Sequence, residues 1–283
     1  MSVQNSLVQK KTSRLGLTAY LTQDAVKDQI NKVVGGKDGQ RFISAIISAT
    51  TNPTLQECSN QSILSGALLG ESLKLSPSPQ LGQYYLVPYN DNKKGKVAQF
   101  QLGYKGYIQL AIRSGQYKKL NVLAIKEGEL INFDPLNEEI EVQLIPDEEE
   151  REKAVTIGYY AMFEYTNGFK KTMYWSKSKM EAHALKYSPG FASDRKKGTA
   201  YTFWSKDFDG MAYKTMLRQL ISKWGIMSIE MATALDSDYA VINEDGTKNY
   251  VETEADFIEA ESTEILAENT ENSDAESALF GKE

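Results

Sequence analysis

Eight basic side chains, Lys93, Lys94, Lys96, Lys105, Arg113, Lys118, Lys119 and Lys126, fall within residues 92–126, and no acidic residue interrupts them. Tyr84, Tyr85, Tyr89, Phe100, Tyr104, Tyr107 and Tyr117 lie among or beside them. Residues 165–206 repeat the pattern with nine basic residues (Lys170, Lys171, Lys177, Lys179, Lys186, Arg195, Lys196, Lys197, Lys206), two acidic ones and nine aromatics. Cations bind phosphates by releasing counterions, and aromatic faces stack on unpaired bases. The mixture suits a groove for a single nucleic-acid strand better than a major-groove reader, which needs a recognisable docking helix. A plainer reading gives most of these tyrosines to the core. It does not explain thirty-five consecutive residues without an acid.

Bond-making chemistry finds less support. No G-x-x-x-x-G-K-[ST] occurs, and Gly95-Lys96-Val97 lacks both the upstream glycine and the hydroxyl residue, which argues against an ATP-driven strand-exchange protein. Asp207, Asp209 and Glu181 are the carboxylates a metal-dependent nuclease would use. Two residues apart at a helix start, the aspartates read more simply as charges favourable to the helix dipole. With His183 and Cys58 the only residues of their types, neither a His/Cys metal cluster nor a disulfide scaffold can form. His183 reads as structural or surface, and Glu148-Glu149-Glu150 as a solvated turn. No cofactor is called for.

The net charge of −6 conceals an asymmetry. Residues 230–283 hold two basic and sixteen acidic side chains, while the first 229 hold thirty basic and twenty-two acidic. A basic body with an acidic tail points to nucleic-acid binding with a separate tail function. The tail is poor in aromatics and reads as largely disordered from 231 to 283, with small apolar islands at Phe257-Ile258 and Leu279-Phe280. No run is apolar and long enough to span a bilayer, and the first residues lack a signal-peptide pattern, so a soluble, cytoplasmic protein is expected.

The elements that must position these residues read as an α+β fold. Residues 1–20 are polar and read as a flexible start; 21–230 form the core. Helices are expected from Asp24 towards Gly35, around Phe42, Ile43, Ile46 and Ile47, and from Ile63 to Glu71, with Ser76-Pro77-Ser78-Pro79 ending helical structure. Strands at 84–89 and 96–102 flank a polar turn, and Tyr104 to Arg113 reads as a helix closed by Gly115. Further strands follow at 119–126, 138–145, 154–164 and 169–175, the last two joined across Asn167-Gly168. Ser176 caps a short helix, and a strong helix runs from Asp207 to Trp224. Tyr213, Leu217, Leu220 and Trp224 make an apolar stripe on it, leaving Lys214 and Arg218 on a neighbouring face, open to a phosphate backbone. The class predicted is small antiparallel sheets or hairpins packed with several helices.

Residues 70–113, GESLKLSPSPQLGQYYLVPYNDNKKGKVAQFQLGYKGYIQLAIR, closely resemble the RecT family of phage single-strand annealing recombinases. Residues 204–225, WSKDFDGMAYKTMLRQLISKWG, are similar to that family's second hallmark, and the resemblance covers roughly 20 to 230. It implies ATP-independent annealing of complementary DNA strands, oligomeric rings or filaments, a partner 5′-to-3′ exonuclease and contact with a host single-strand-binding protein. It implies a DNA-binding role for 103–106 and for Lys206, Lys214 and Arg218. Charge runs and resemblance together nominate Lys93, Tyr104, Lys105, Arg113, Lys118, Lys119, Arg195, Lys197, Trp204, Lys206, Lys214 and Arg218 as DNA contacts. Tyr104 and Trp204 are the stacking platforms expected. A nuclease and a passive single-strand protector remain the alternatives.

Overall fold

A computed structural model describes residues 15–35, 38–51, 53–91 and 94–250. The chain opens with helices: α1 (Leu17–Leu21), α2 (Asp24–Val34), α3 (Gly39–Ala49), α4 (Pro53–Gln56) and α5 (Asn60–Ser72). Strands β1 (Tyr84–Asp91) and β2 (Gly95–Leu102) then form a hairpin, followed by α6 (Tyr104–Ser114), β3 (Tyr117–Lys126), β4 (Leu130–Asp134) and β5 (Glu139–Val142). After α7 (Glu148–Lys153) come β6 (Thr156–Tyr165), β7 (Lys170–Ser176), α8 (Lys177–Tyr187), α9 (Pro189–Lys197), α10 (Phe203–Lys206), α11 (Phe208–Trp224) and α12 (Ile229–Ser237). Two short strands, β8 (Ala240–Ile242) and β9 (Lys248–Tyr250), complete the described fold. The sheets are antiparallel, ordered β1-β2-β8-β9, β3-β6-β7 and β4-β5. The expected class stands.

Local chemistry explains most boundaries. Gly115 takes the left-handed C-cap conformation after α6. Gly168 has φ +89° in the turn between β6 and β7. Ser176 accepts from Lys179 N to cap α8, and Ser188 accepts from Phe191 N to cap α9, where Pro189 fills the first position. Glu148-Glu149-Glu150 opens a helix, α7, rather than a turn, because Asp147 accepts from Glu150 N and three acids sit at its positive end.

Three apolar clusters form the interior. Leu21, Ile30, Phe42, Ile46, Ile63 and Leu64 bind the first helices together. Tyr84, Phe100, Leu102, Tyr107, Leu217, Ile221 and Met231 fill the centre. Tyr159, Phe163, Met180, Phe191, Trp204, Met216 and Leu220 form the third cluster beneath β3, β6 and β7. Helix α11 sends Leu217 and Ile221 into the second cluster and Ala212, Met216 and Leu220 into the third. It is therefore buried on two sides, not along one stripe, and Trp224 at its end is 51% exposed.

That burial corrects the expected open face. Lys214 and Arg218 are each 4% exposed and share one fully buried carboxylate, Asp238. Lys214 Nζ lies 3.1 Å from Asp238 Oδ1, and Arg218 Nη1 lies 2.7 Å from Oδ2. Leu102 N–H and the Tyr107 hydroxyl donate to the same carboxylate at 2.8 and 3.2 Å. The expected tail boundary at 230/231 moves as well. Residues 231–250 include most of α12 and all of β8 and β9, and β8 pairs with β2 through Phe100 and Ala240. The remaining acidic stretch, 251–283, with both apolar islands, lies outside the described residues, as do the first fourteen and Lys93.

Candidate nucleic-acid interface

The first contributing segment is built on a close backbone approach. Gly103 N donates to Gln83 O at 2.9 Å, so α6 begins hard against the chain before β1. A Cβ on Gly103 would collide with Gly82 O, and one on Gly106 with Gln83 O. Glycine at both positions is thus a packing requirement. Its effect is to hold Tyr104 and Lys105 beside Tyr85. The Tyr85 hydroxyl and the Lys105 stem both pass close to Gly82. The Tyr104 ring packs edge-on against Tyr213 of α11, with centroids 5.8 Å apart.

The second segment is the loop from α9 to α11, organised by Asp194. Its carboxylate accepts from the hydroxyls of Thr199 (2.6 Å), Thr202 (2.9 Å) and Ser205 (2.8 Å) and from the backbone N–H of Tyr201 (3.0 Å) and Thr202 (2.8 Å). These bonds, the Thr199 hydroxyl first, hold the Asp194 carboxyl well below the usual carboxylate range against the opposing cost of desolvation. The loop so fixed presents Tyr201 (79% exposed) and Phe203 (48% exposed) to solvent, followed by exposed Lys206. Asp207 then caps α11 by accepting from Gly210 N at 2.9 Å.

The two segments meet. Tyr85, Gly103, Tyr104, Phe203, Lys206, Met211 and Lys214 line a cavity of about 300 Å³. The Tyr85 and Phe203 rings lie 6.1 Å apart. Burial, with Tyr104 and Asp207 nearby, raises the Tyr85 hydroxyl above its ordinary pKa, so it is a neutral donor at physiological pH. Lys214 of the lining and Arg218 below it share the buried Asp238 carboxylate and lie over the Tyr239 ring, and Asp207 lines the cavity beside Lys206. Rings beside the exposed Lys206 ammonium suit a nucleotide, whose base stacks while its phosphate meets the cation.

The expected contacts divide on burial. Tyr104 and Lys206 line this cleft, and exposed Lys105 follows Tyr104 with its stem close to Gly82, beside the Tyr85 hydroxyl. Lys197 is exposed at the end of α9. Arg113 is exposed but donates to the carbonyls of Leu73 and Lys74, closing the end of α5. Lys118 and Lys119 both pair with Glu164, and Arg195 pairs with Glu181. Trp204 is 4% exposed, packed between Phe191 and Phe208, so it is a core residue and not a stacking platform. Its exposed neighbours Tyr201 and Phe203 were missed, as was Tyr85. The carboxylates of the nuclease alternative are occupied: Asp207 by its cap, Asp209 by the Tyr159 hydroxyl at 2.6 Å, and Glu181 by Arg195. Among the described residues no group of three or more His, Cys, Asp or Glu side chains converges to hold a metal. His183 is buried, packed edge-on against Trp175 and Tyr187. Among the described residues no helix is long and apolar enough to cross a membrane.

Comparison with known proteins bears on the same region. The model of the RecT family matches residues 40–256, which include both segments of the cleft. An uncharacterized protein, YqaK, of Bacillus subtilis (strain 168) is 39% identical over 280 residues, covering 96% of this chain and 88% of the relative. Protein RecT of Escherichia coli (strain K12) is 30% identical over 230 residues, covering 78% of this chain and 79% of the relative.

Proposed function

This chain belongs to the RecT family, and from that premise we propose that it binds single-stranded DNA at the Tyr85–Phe203 cleft and anneals complementary strands without nucleotide hydrolysis. The observation that carries the reading is convergence: Gly103 and Tyr104 and, a hundred positions on, Phe203 and Lys206 line one cavity with Tyr85, while exposed Lys105 runs past Gly82 beside the Tyr85 hydroxyl. Lys105 and Lys206 neutralise phosphates, and Phe203 and Tyr85 offer faces to bases. Annealing makes and breaks no covalent bond. It requires that two polyanions approach, which cations offset, and that base edges stay accessible, which backbone contact permits. Sequence independence follows from the same contacts. A homo-oligomer repeating this cleft extends the paired region, and a 5′-to-3′ exonuclease supplies the single strands. A host single-strand-binding protein is a further partner of this reading, which places the protein, encoded by phage or prophage, in the bacterial cytoplasm.

Fluorescence-monitored annealing of complementary oligonucleotides, with product gels and with or without ATP and chelator, tests the proposal. Annealing is expected to proceed in chelator without ATP and to leave the strands intact. Lys105→Ala/Lys206→Ala is expected to fold and to lower the slope of log K against log salt by about 1.4, or 0.7 per phosphate. A need for ATP, cleaved strands, or an unchanged slope in the folded double variant overturns it.

A further inference from the structure

A second basic and aromatic cleft lies away from the first. The volume enclosed by β7, α8, the end of α11 and residues around Pro135 is about 720 Å³, the largest of the described cavities. Lys171, Lys179, Lys186 and Lys223 line it, with Glu138 the one carboxylate of its lining among the described residues. Three of these ammonium groups sit over rings of the same cleft. Lys171 Nζ is 3.6 Å from the Trp224 ring centre, Lys179 Nζ 4.5 Å from that of Trp175, and Lys186 Nζ 4.9 Å from that of Tyr187. The rings hold the charges in place, so less side-chain freedom is lost when an anion arrives. Glu138 is already paired with Lys171. The chemistry is that of a single-strand groove: a polyanion's phosphates meet lysines, and its bases meet half-exposed indoles.

Helical geometry separates this cleft from the first. Helix α11 lends Gly210, Met211 and Lys214 to the first cleft and Gln219, Leu220, Lys223 and Trp224 to the second. At about 100° per residue, the two sets face directions roughly 160° apart around the helix axis. They open on opposite sides of α11, so one strand held in the first cleft does not continue directly into the second.

We propose that the second cleft captures a second single-stranded DNA segment while the first cleft holds its own. This rests on the reading of the protein as a single-strand annealing protein. Capture raises the effective concentration of the incoming strand near the bound one, the quantity that limits encounter of two dilute polyanions. The substituted lysines, Lys179, Lys186 and Lys223, are exposed and lie outside the first cleft.

The test uses full-length protein saturated with one labelled homopolymeric single strand, then titrated with a second, differently labelled non-complementary strand, energy transfer reporting co-occupancy. Lys179→Ala/Lys186→Ala/Lys223→Ala is compared with Lys105→Ala/Lys206→Ala, and circular dichroism checks each fold. The expected result is that the triple variant binds the first strand within about twofold of wild type. For the second strand it loses about 2 from the salt slope, 0.7 per lysine, and its annealing rate falls about tenfold. The double variant instead loses the first strand. Three results overturn the second cleft: equal loss of first-strand binding in both variants, which means one continuous path; wild-type second-strand capture in the folded triple variant; and a triple variant altered only in binding an acidic peptide. If wild-type protein binds no strand at all, the reading in the preceding section fails instead, and the two failures are told apart by that control.

Discussion

Asp194 repels a phosphate, yet the candidate interface depends on it. Five donors from residues 199–205 end on its carboxylate, and those residues carry Tyr201 and Phe203. Because the folded carboxyl titrates below its ordinary value, its stabilising contribution is present above the unfolded pKa of about 4 and is lost as pH falls below it. Asp194→Asn removes this dependence. The variant is expected to melt below wild type at pH 7, with the gap narrowing as pH falls from about 4 towards 2. Thermal melts across that range check it, and a gap that stays constant with pH refutes the assignment. Nothing in the sequence pattern marks Asp194, since its partners are hydroxyls and amides of a loop whose path is set by tertiary packing. The choice between Phe203 and Trp204 was illegible for a related reason. They are neighbours in a helix of four residues, too short for periodicity to say which side faces inward. Trp204→Ala would cost about 3–5 kcal/mol as a core truncation rather than a loss of stacking.

At the scale of elements, the strands and helices marked by local signals were legible. Helix α6 closes at its glycine, the β6–β7 hairpin turns where Asn167-Gly168 predicts, and α8 begins at Ser176. The orientation of α11 was not, because a helix between two apolar clusters has no solvent face along most of its length. Its two cations are held there by Asp238, over the Tyr239 ring, and these residues lie twenty and twenty-one positions beyond Arg218. Removing one partner of a buried ion set strands the others and costs about 3–5 kcal/mol, whereas replacing the whole set by apolar groups is often close to neutral. Asp238→Asn is therefore expected to destabilise by that amount in urea denaturation. Lys214→Met/Arg218→Met/Asp238→Asn should recover most of the loss. If Asp238→Asn is as stable as wild type, the cations are not held as described. The same arithmetic separates Lys214 and Arg218, buried on Asp238, from the exposed Lys105 and Lys206, the pair proposed to reach DNA directly.

For the whole molecule, what matters is the position at which the acidic end begins. Residues 251–283 carry eleven acidic side chains and one basic one. A chain ending at Tyr250 keeps Asp238 and the β2–β8 pairing, so it should fold like the full chain. It should also bind single-stranded DNA more tightly at low salt, where removal of negative charge is least screened, and almost equally above about 0.3 M, where the Debye length is well below 10 Å. A chain ending at residue 230 should fail to fold. Melting curves and DNA titrations on the two truncations decide this, and a stable, fully active 1–230 fragment would defeat the account. The placement of Asp238 also orders events during synthesis. The ribosome makes β2 and α6 more than a hundred residues before the carboxylate that accepts from Leu102 and Tyr107, so the centre of the molecule stays unclosed until the chain is more than four-fifths made. Completion of the last strands is then what closes the centre against which the cleft proposed for DNA is built.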